Sequence, residues 1–125
     1  MNRYLKEVID LHELIEALFA NGEGAVAAMV ERFHSDFTMV TPGGAQVGLR
    51  EISSLFTQRA GAQPGLSIEV FGLETIAQWP EGAVVQYCET HHLPGQQAKT
   101  RISTAVFSVE GGRPLWRHLQ ETWAA

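Results

Sequence analysis

An α+β fold follows from three features of this sequence. Apolar residues recur at helical spacing through the first third of the chain. From Leu66 onward the chain reads as long stretches of β periodicity separated by glycine- and proline-containing turns. The last two of those stretches form one hairpin around Gly111-Gly112. The expectation is three N-terminal helices packed on a mainly antiparallel sheet. The hairpin from Ala98 to Trp123 is the centre about which the rest is arranged.

Each element has its own justification. Tyr4, Val8, Leu11, Ile15 and Leu18 step by three or four and line one side of a first helix, with Glu7, Asp10, Glu13 and Glu16 on the other side. Asn21-Gly22-Glu23-Gly24 ends it, because glycine takes the left-handed conformation at a helix end without a steric penalty. A second helix is expected from Ala25 to Phe33, its inward positions being Val26, Met29, Val30 and Phe33. Phe37-Thr38-Met39-Val40-Thr41 is rich in β-branched and aromatic residues and reads as a short strand, which Pro42-Gly43-Gly44 stops. Gln46-Val47-Gly48 adds a second short strand. Ile52, Leu55, Phe56 and Arg59 then trace a third helix from Leu49 to Arg59. After a loop at Gly61 to Gly65, four strands follow: Leu66 to Trp79, Ala83 to Leu93, Ala98 to Val109 and Leu115 to Trp123.

Composition limits the functions to consider. With 125 residues, 45% of them hydrophobic and 18% charged, the chain has material for one domain and one core. Its net charge is −5 and its lysines are Lys6 and Lys99, so no basic field is available for nucleic acid or an anionic membrane. The opening residues include Lys6, Glu7 and Asp10 and lack the apolar core of a signal peptide, and no apolar run approaches the ~20 residues of a membrane span. The expected compartment is the cytoplasm, in keeping with Cys88 as the sole cysteine.

The order of helix, helix, short strand, helix and four long strands resembles the nuclear transport factor 2-like superfamily, in particular its SnoaL-like and uncharacterised domain-of-unknown-function branches. The residues carrying the resemblance are Ala20-Asn21-Gly22, the run from Phe33 to Gly44, Gly48-Leu49-Arg50-Glu51-Ile52 and the closing His118-Leu119-Gln120-Glu121-Thr122. The resemblance implies a cone-shaped, cystatin-like α+β domain: a strongly curved sheet whose concave side, capped by the helices, encloses a pocket. It also implies dimerisation through the other side of the sheet. Gln120 stands where many relatives have a second histidine, so a paired-histidine role is not carried over. The superfamily spans isomerases, dehydratases, cyclases, epoxide hydrolases, ligand binders and dimerisation modules, so fold alone assigns no reaction.

Strand pairing nominates a site. A hairpin closing at Gly111-Gly112 sets Arg101 opposite Trp123 and Ser103 opposite Glu121, and the preceding turn sets Glu89 and His91 near Arg101 on the same face. Tyr87, Glu89, His91 and Arg101 are the candidate catalytic residues, with Trp79, Glu121, Trp123 and Phe37 as further pocket residues. A carboxylate or histidine in this set can move a proton while Arg101 or Tyr87 stabilises developing negative charge. The bland alternative is an Arg–Glu salt bridge at the open end of the sheet.

Other polar residues carry less. His91 and His92 are adjacent in a strand and point to opposite faces, so they cannot share a metal, and none is expected. His34 and Asp36 share a face before the first strand, where an Asp commonly caps a turn. Cys88 lacks an activating neighbour. No nucleophile elbow, phosphate loop or dinucleotide fingerprint occurs, so no cofactor is expected. Two function classes remain. One is a small-molecule pocket protein, as an enzyme of the isomerase, dehydratase or hydrolase kind acting on a largely apolar ligand. The other is a dimeric ligand-binding or accessory module. The even-numbered face of the last two strands, with Ile102, Thr104, Val106, Trp116 and His118, is expected to pair with a second copy of the chain.

Overall fold

The structure, a computed structural model, describes residues 2–125. Its elements run in the order α1 (Arg3–Asn21), α2 (Val26–Val30), β1 (Phe33–Val40), β2 (Gln46–Gly48), α3 (Leu49–Arg59), β3 (Ser67–Trp79), β4 (Gly82–His92), β5 (Lys99–Glu110) and β6 (Arg113–Trp123). The strands form one sheet in the order β2-β1-β6-β5-β4-β3, antiparallel at every junction except the parallel β1–β6 pair. Helices on a mostly antiparallel, curved sheet make this an α+β fold, with α1 and α3 closing the concave side.

Local chemistry sets the element ends. The Asn2 side chain accepts the Leu5 N–H at 2.9 Å and caps α1, and Gly22 closes it at φ 69° with its own N–H on Leu18 O. The β5–β6 connection is the two-residue turn Gly111-Gly112, with φ of 57° and 76°; two successive positive φ values define the hairpin turn that matches strand twist. That turn fixes the register, and Arg101 lies opposite Trp123 and Ser103 opposite Glu121, as the sequence predicts.

The core lies between α1, α3 and the inner face of the sheet. Tyr4, Val8, Leu11 and Leu18 of α1 meet Val85, Tyr87, Phe107 and Trp116, all buried. Burial of each such side chain contributes on the order of 2 kcal/mol.

Four expectations are corrected. α2 is a single short helix, and Phe33-His34-Ser35-Asp36 belong to β1, because Trp116 N–H bonds Arg32 O and β6 continues the ladder from Phe33. Trp116 does not share the outer face with Ile102 and Val106. A bulge at Arg117, between the pairs Val106–His118 and Phe107–Trp116, reverses the alternation, so Trp116 turns inward and is fully buried against Phe107, ring centroids 4.6 Å apart. Glu7 is not merely a solvated residue of α1, since it accepts from Arg32 Nη1 at 2.6 Å and from Trp116 Nε1 at 3.0 Å. Glu16 likewise accepts the Ile68 N–H at 2.7 Å and ties α1 to the start of β3.

Candidate functional site

Three neighbouring strands carry two adjacent rows of polar side chains on the inner face. One row is Glu89, Arg101 and Trp123; the next is Tyr87, Ser103 and Glu121. Residues directly opposite across antiparallel strands have Cβ atoms about 5 Å apart. The rows therefore concentrate two carboxylates, a guanidinium, a phenol and a hydroxyl in one small area. Over them lies a cavity of about 120 Å³, whose remaining wall is largely apolar and includes Leu11, Ile15, Phe37, Ile52, Phe56 and Leu119.

The helix side supplies a group that sequence reading passed over. His12 of α1 projects into the same cavity, with Nδ1 2.7 Å from Val8 O and Nε2 3.3 Å from Glu89 Oε1. A backbone carbonyl only accepts, so Nδ1 carries a hydrogen and donates to Val8. With Glu89 ionised, Nε2 must donate as well, which makes the ring an imidazolium. Burial opposes that charge most strongly, but the hydrogen bond and attraction to Glu89 outweigh it and raise the His12 pKa above its ordinary value. The signal lay in the helical pattern: position 12 follows Val8 by four and so belongs to the apolar stripe, where a histidine is out of place.

Glu89 is the hub. Its second oxygen lies 2.7 Å from His91 Nε2, and Arg101 is the residue paired with it across β4 and β5. Burial pushes its pKa up, yet the bonds from His12 and His91 and the charges of His12 and Arg101 prevail and hold it well below the carboxylate range. Because Glu89 claims the hydrogen on His91 Nε2, Arg101 Nη2, 3.3 Å from that nitrogen, abuts it without a shared proton.

Glu121 is the opposite case. Arg101 Nη1 donates to its Oε1 at 2.9 Å and Ser103 Oγ to its Oε2 at 3.4 Å. Burial nevertheless dominates over the attraction of Arg101, the ionised Glu89 adds repulsion, and the Glu121 pKa rises to about 7. The two carboxyl groups therefore divide their protons unequally: Glu89 is ionised and Glu121 holds a proton close to neutrality. Tyr87, fully buried between Glu89 and Glu121, is kept a phenol well above its usual range, first by burial and then by their charges. Its hydroxyl makes no well-formed hydrogen bond among the described residues, although Ser103, opposite it across β4 and β5, is near enough to work against that rise.

Tyr87, Glu89, His91, Arg101, Glu121 and Phe37 thus all face one cavity. Two expected pocket residues do not. Trp79 ends β3 half-exposed with its ring over Gly82, where an added Cβ would come within 2.8 Å of ring carbon Cζ2. Glycine at 82 lets the indole lie on the turn, at the far end of β3 and β4 from Glu89. Trp123 shares the inner parity with Glu121, but β6 has reached the rim there. Its exposed ring lies 5.2 Å from the Arg101 guanidinium and 5.6 Å from Lys99 Nζ, stacking on the outside of the site.

The lesser candidates separate. His91 faces Glu89, whereas His92 Nε2 lies 3.5 Å from Glu69 on the other side. Asp36 N–H donates to His34 Nδ1 at 2.9 Å, and neither residue lines the cavity. Among the described residues no group of three or more His, Cys, Asp or Glu side chains is placed to hold a metal ion, and no helix is long and apolar enough to cross a membrane.

No protein-family model and no curated protein matches the chain. Solved structures do. An NTF-2-like protein of unknown function from Pseudomonas aeruginosa is similar at a TM-score of 0.93 with 34% identity, over 99% of this chain and 100% of that one. An NTF2-like protein from Cytophaga hutchinsonii is similar at 0.72 with 13% identity, over 99% of this chain and 100% of that one. A Parabacteroides distasonis protein provisionally named a ketosteroid isomerase is similar at 0.67 with 14% identity, over 94% of this chain and 85% of that one. The two distant structures establish the fold alone. The Pseudomonas aeruginosa protein, alike in sequence along its whole length, establishes the family: this chain belongs to the nuclear transport factor 2-like proteins.

Proposed function

We propose that this protein is a cofactor-independent acid–base enzyme of the isomerase or dehydratase kind, acting on a small, largely apolar carbonyl compound. The observation that carries the reading is the inequality of the two carboxyls beside a buried phenol: Glu89 ionised, Glu121 near 7, and Tyr87 in the lining of the same cavity with a hydroxyl that makes no well-formed hydrogen bond. An acid–base group works best with a pKa close to the working pH. Glu121 meets that condition, whereas Glu89 is too firmly held by His12 and His91 to be a useful base.

The chemistry follows from the placement. A substrate carbonyl oxygen accepts from Tyr87 Oη. Glu121, as the carboxylate, removes a proton from the carbon next to the carbonyl, and the electron pair moves onto the oxygen, where Tyr87 and the nearby Arg101 charge stabilise it. Return of the same proton to a different carbon isomerises the substrate; departure of a β-hydroxyl as water dehydrates it. The isomerase name provisionally given to the Parabacteroides distasonis neighbour supports the class, at the level of fold analogy.

The second reading, a non-catalytic dimeric binding or accessory module, is favoured by the size of the cavity. About 120 Å³ is small against the ~300 Å³ or more of ordinary ligand pockets. Proton exchange distinguishes the two. Small ketones incubated with the protein in deuterated buffer should lose α-proton NMR signal faster than in buffer alone, and Glu121→Gln should abolish the excess. Exchange no faster than the buffer blank across the panel would leave the binding-module reading.

A further inference from the structure

The charged residues lining the cavity do not balance from end to end. At its buried end each charge has a partner: Glu89 with His12 and His91, Glu121 with Arg101. Arg59, which also lines the cavity, is exposed and therefore lies at its open rim. It comes from the last turn of α3, where a cation suits the negative end of the helix, and its guanidinium lies 5.9 Å from the centre of the Phe19 ring. Among the described residues no carboxylate lies within salt-bridge distance of it. On a chain of net charge −5, the cavity mouth thus presents a cation without a counter-ion next to an apolar wall. At the other end Tyr87, buried completely, has a hydroxyl that makes no well-formed hydrogen bond.

We propose that the ligand is a short oxo acid, its carboxylate on Arg59 at the rim, its apolar body against Phe19, Ile52 and Phe56, and its carbonyl oxygen on the Tyr87 hydroxyl. The inference rests on the carbonyl-compound reading above and specifies the charge and polarity of the substrate. Guanidinium and carboxylate form charge-assisted hydrogen bonds, the stronger class of such contacts. A neutral ketone leaves Arg59 solvated and gains nothing from it. An ammonium compound is repelled. The small cavity excludes extended or polycyclic ligands unless it opens, which confines the body to a few methylenes or one ring.

A matched six-carbon series tests this: 5-oxohexanoate, hexan-2-one, hexanoate and hexylammonium, titrated by amide NMR with shifts followed around Tyr87 and Ile52. The expected order places 5-oxohexanoate about tenfold tighter than hexan-2-one, the effect of one charge-assisted contact at a partly wet site. Arg59→Gln should remove that advantage and leave hexan-2-one unchanged, while Arg59→Lys keeps part of it. Tyr87→Phe should weaken both carbonyl compounds and spare hexanoate. Hexan-2-one binding in the cavity as tightly as the oxo acid, hexylammonium binding tightest, or an advantage that survives Arg59→Gln would each overturn the oxo-acid assignment and leave the acid–base pocket standing. Failure of all four compounds to shift cavity resonances at millimolar concentration would overturn both.

Discussion

His12 Nε2 lies 3.3 Å from Glu89 Oε1, joining α1 to β4 through two side chains that are both buried. The contact ties the helix to the sheet and adds a helix-borne partner to the one that His91 of β4 supplies. Removing His12 leaves Oε1 of the buried Glu89 without its partner while His91 keeps Oε2, at a cost of about 2 kcal/mol, within the range for a hydrogen bond to a charged group. His12→Leu should therefore lower the urea-unfolding free energy by about that much, and adding Glu89→Gln should restore part of it, because the amide carries no charge. A loss under about 1 kcal/mol, as an exposed pair gives, would refute the buried pairing.

Stability should have an acid-shifted optimum. Glu121 rises from 4.5 to about 7, chiefly by burial, so between those values the folded protein keeps a proton that the unfolded chain has released. Folding therefore weakens as pH climbs through that window. His12, raised from 6.5, acts in the same direction: its charged contact with Glu89 is intact below 6.5 and is lost as pH passes its higher folded value. Glu89, lowered from 4.5, contributes fully above 4.5 and loses that contribution as pH falls through its depressed value. Unfolding free energy should peak near pH 4.5 and decline from there toward pH 8, most steeply once His12 also begins to lose its proton, the Glu121 share being on the order of 3 kcal/mol. Glu121→Gln should flatten the alkaline decline. An equally steep decline in that variant would assign the effect elsewhere.

The fold was legible because its signals are local. Periods of three and four mark α1 and α3, and the Gly111-Gly112 turn fixes the hairpin register, which alone brings Arg101, Ser103 and Glu121 to one face. Two things were not local. The bulge at Arg117 has no glycine or proline to announce it, and it reversed the parity of Trp116. Helix-to-sheet docking is likewise absent from strand patterns, so His12 was passed over although it stands on the apolar stripe of α1. Trp79 and Trp123 were placed correctly in their strands, but a strand pattern does not tell where along its length the cavity ends.

Assembly offers a third test. With Trp116 turned inward, the outer face retains Ile102 exposed at 40%, and β3 adds Phe71 at 41% and Ile76 at 55%. We propose that a second copy of the chain covers this face in a two-fold dimer, since apolar groups on a sheet are stabilised when removed from water. Light scattering at micromolar concentration should give twice the monomer mass of 13.8 kDa. Ile102→Lys should shift the population toward monomer without loss of cavity ligand binding. A parent protein that scatters as 13.8 kDa would rule the dimer out.

Arg101 separates a structural from a functional arginine by its pH dependence. Its Nη1 donates to Glu121 Oε1 at 2.9 Å, and its charge pulls the Glu121 pKa down against burial and the repulsion of Glu89. In Arg101→Ala that restraint is gone, so the Glu121 pKa should move above its parental value of about 7. At pH 6 Glu121 is largely protonated in both proteins, and the substitution should cost little beyond lost packing under Trp123. At pH 8 the parent ionises Glu121 beside Arg101, whereas the variant must bury the charge alone or keep the proton, and the cost should grow by about 1–2 kcal/mol. Urea unfolding of both proteins at the two pH values measures the difference, and carbon-detected NMR of the Glu121 carboxyl measures its cause. Equal losses at both pH values with an unmoved carboxyl titration would mean that Arg101 does not govern Glu121. The proton that the proposed reaction transfers would then be set by burial and Glu89 alone.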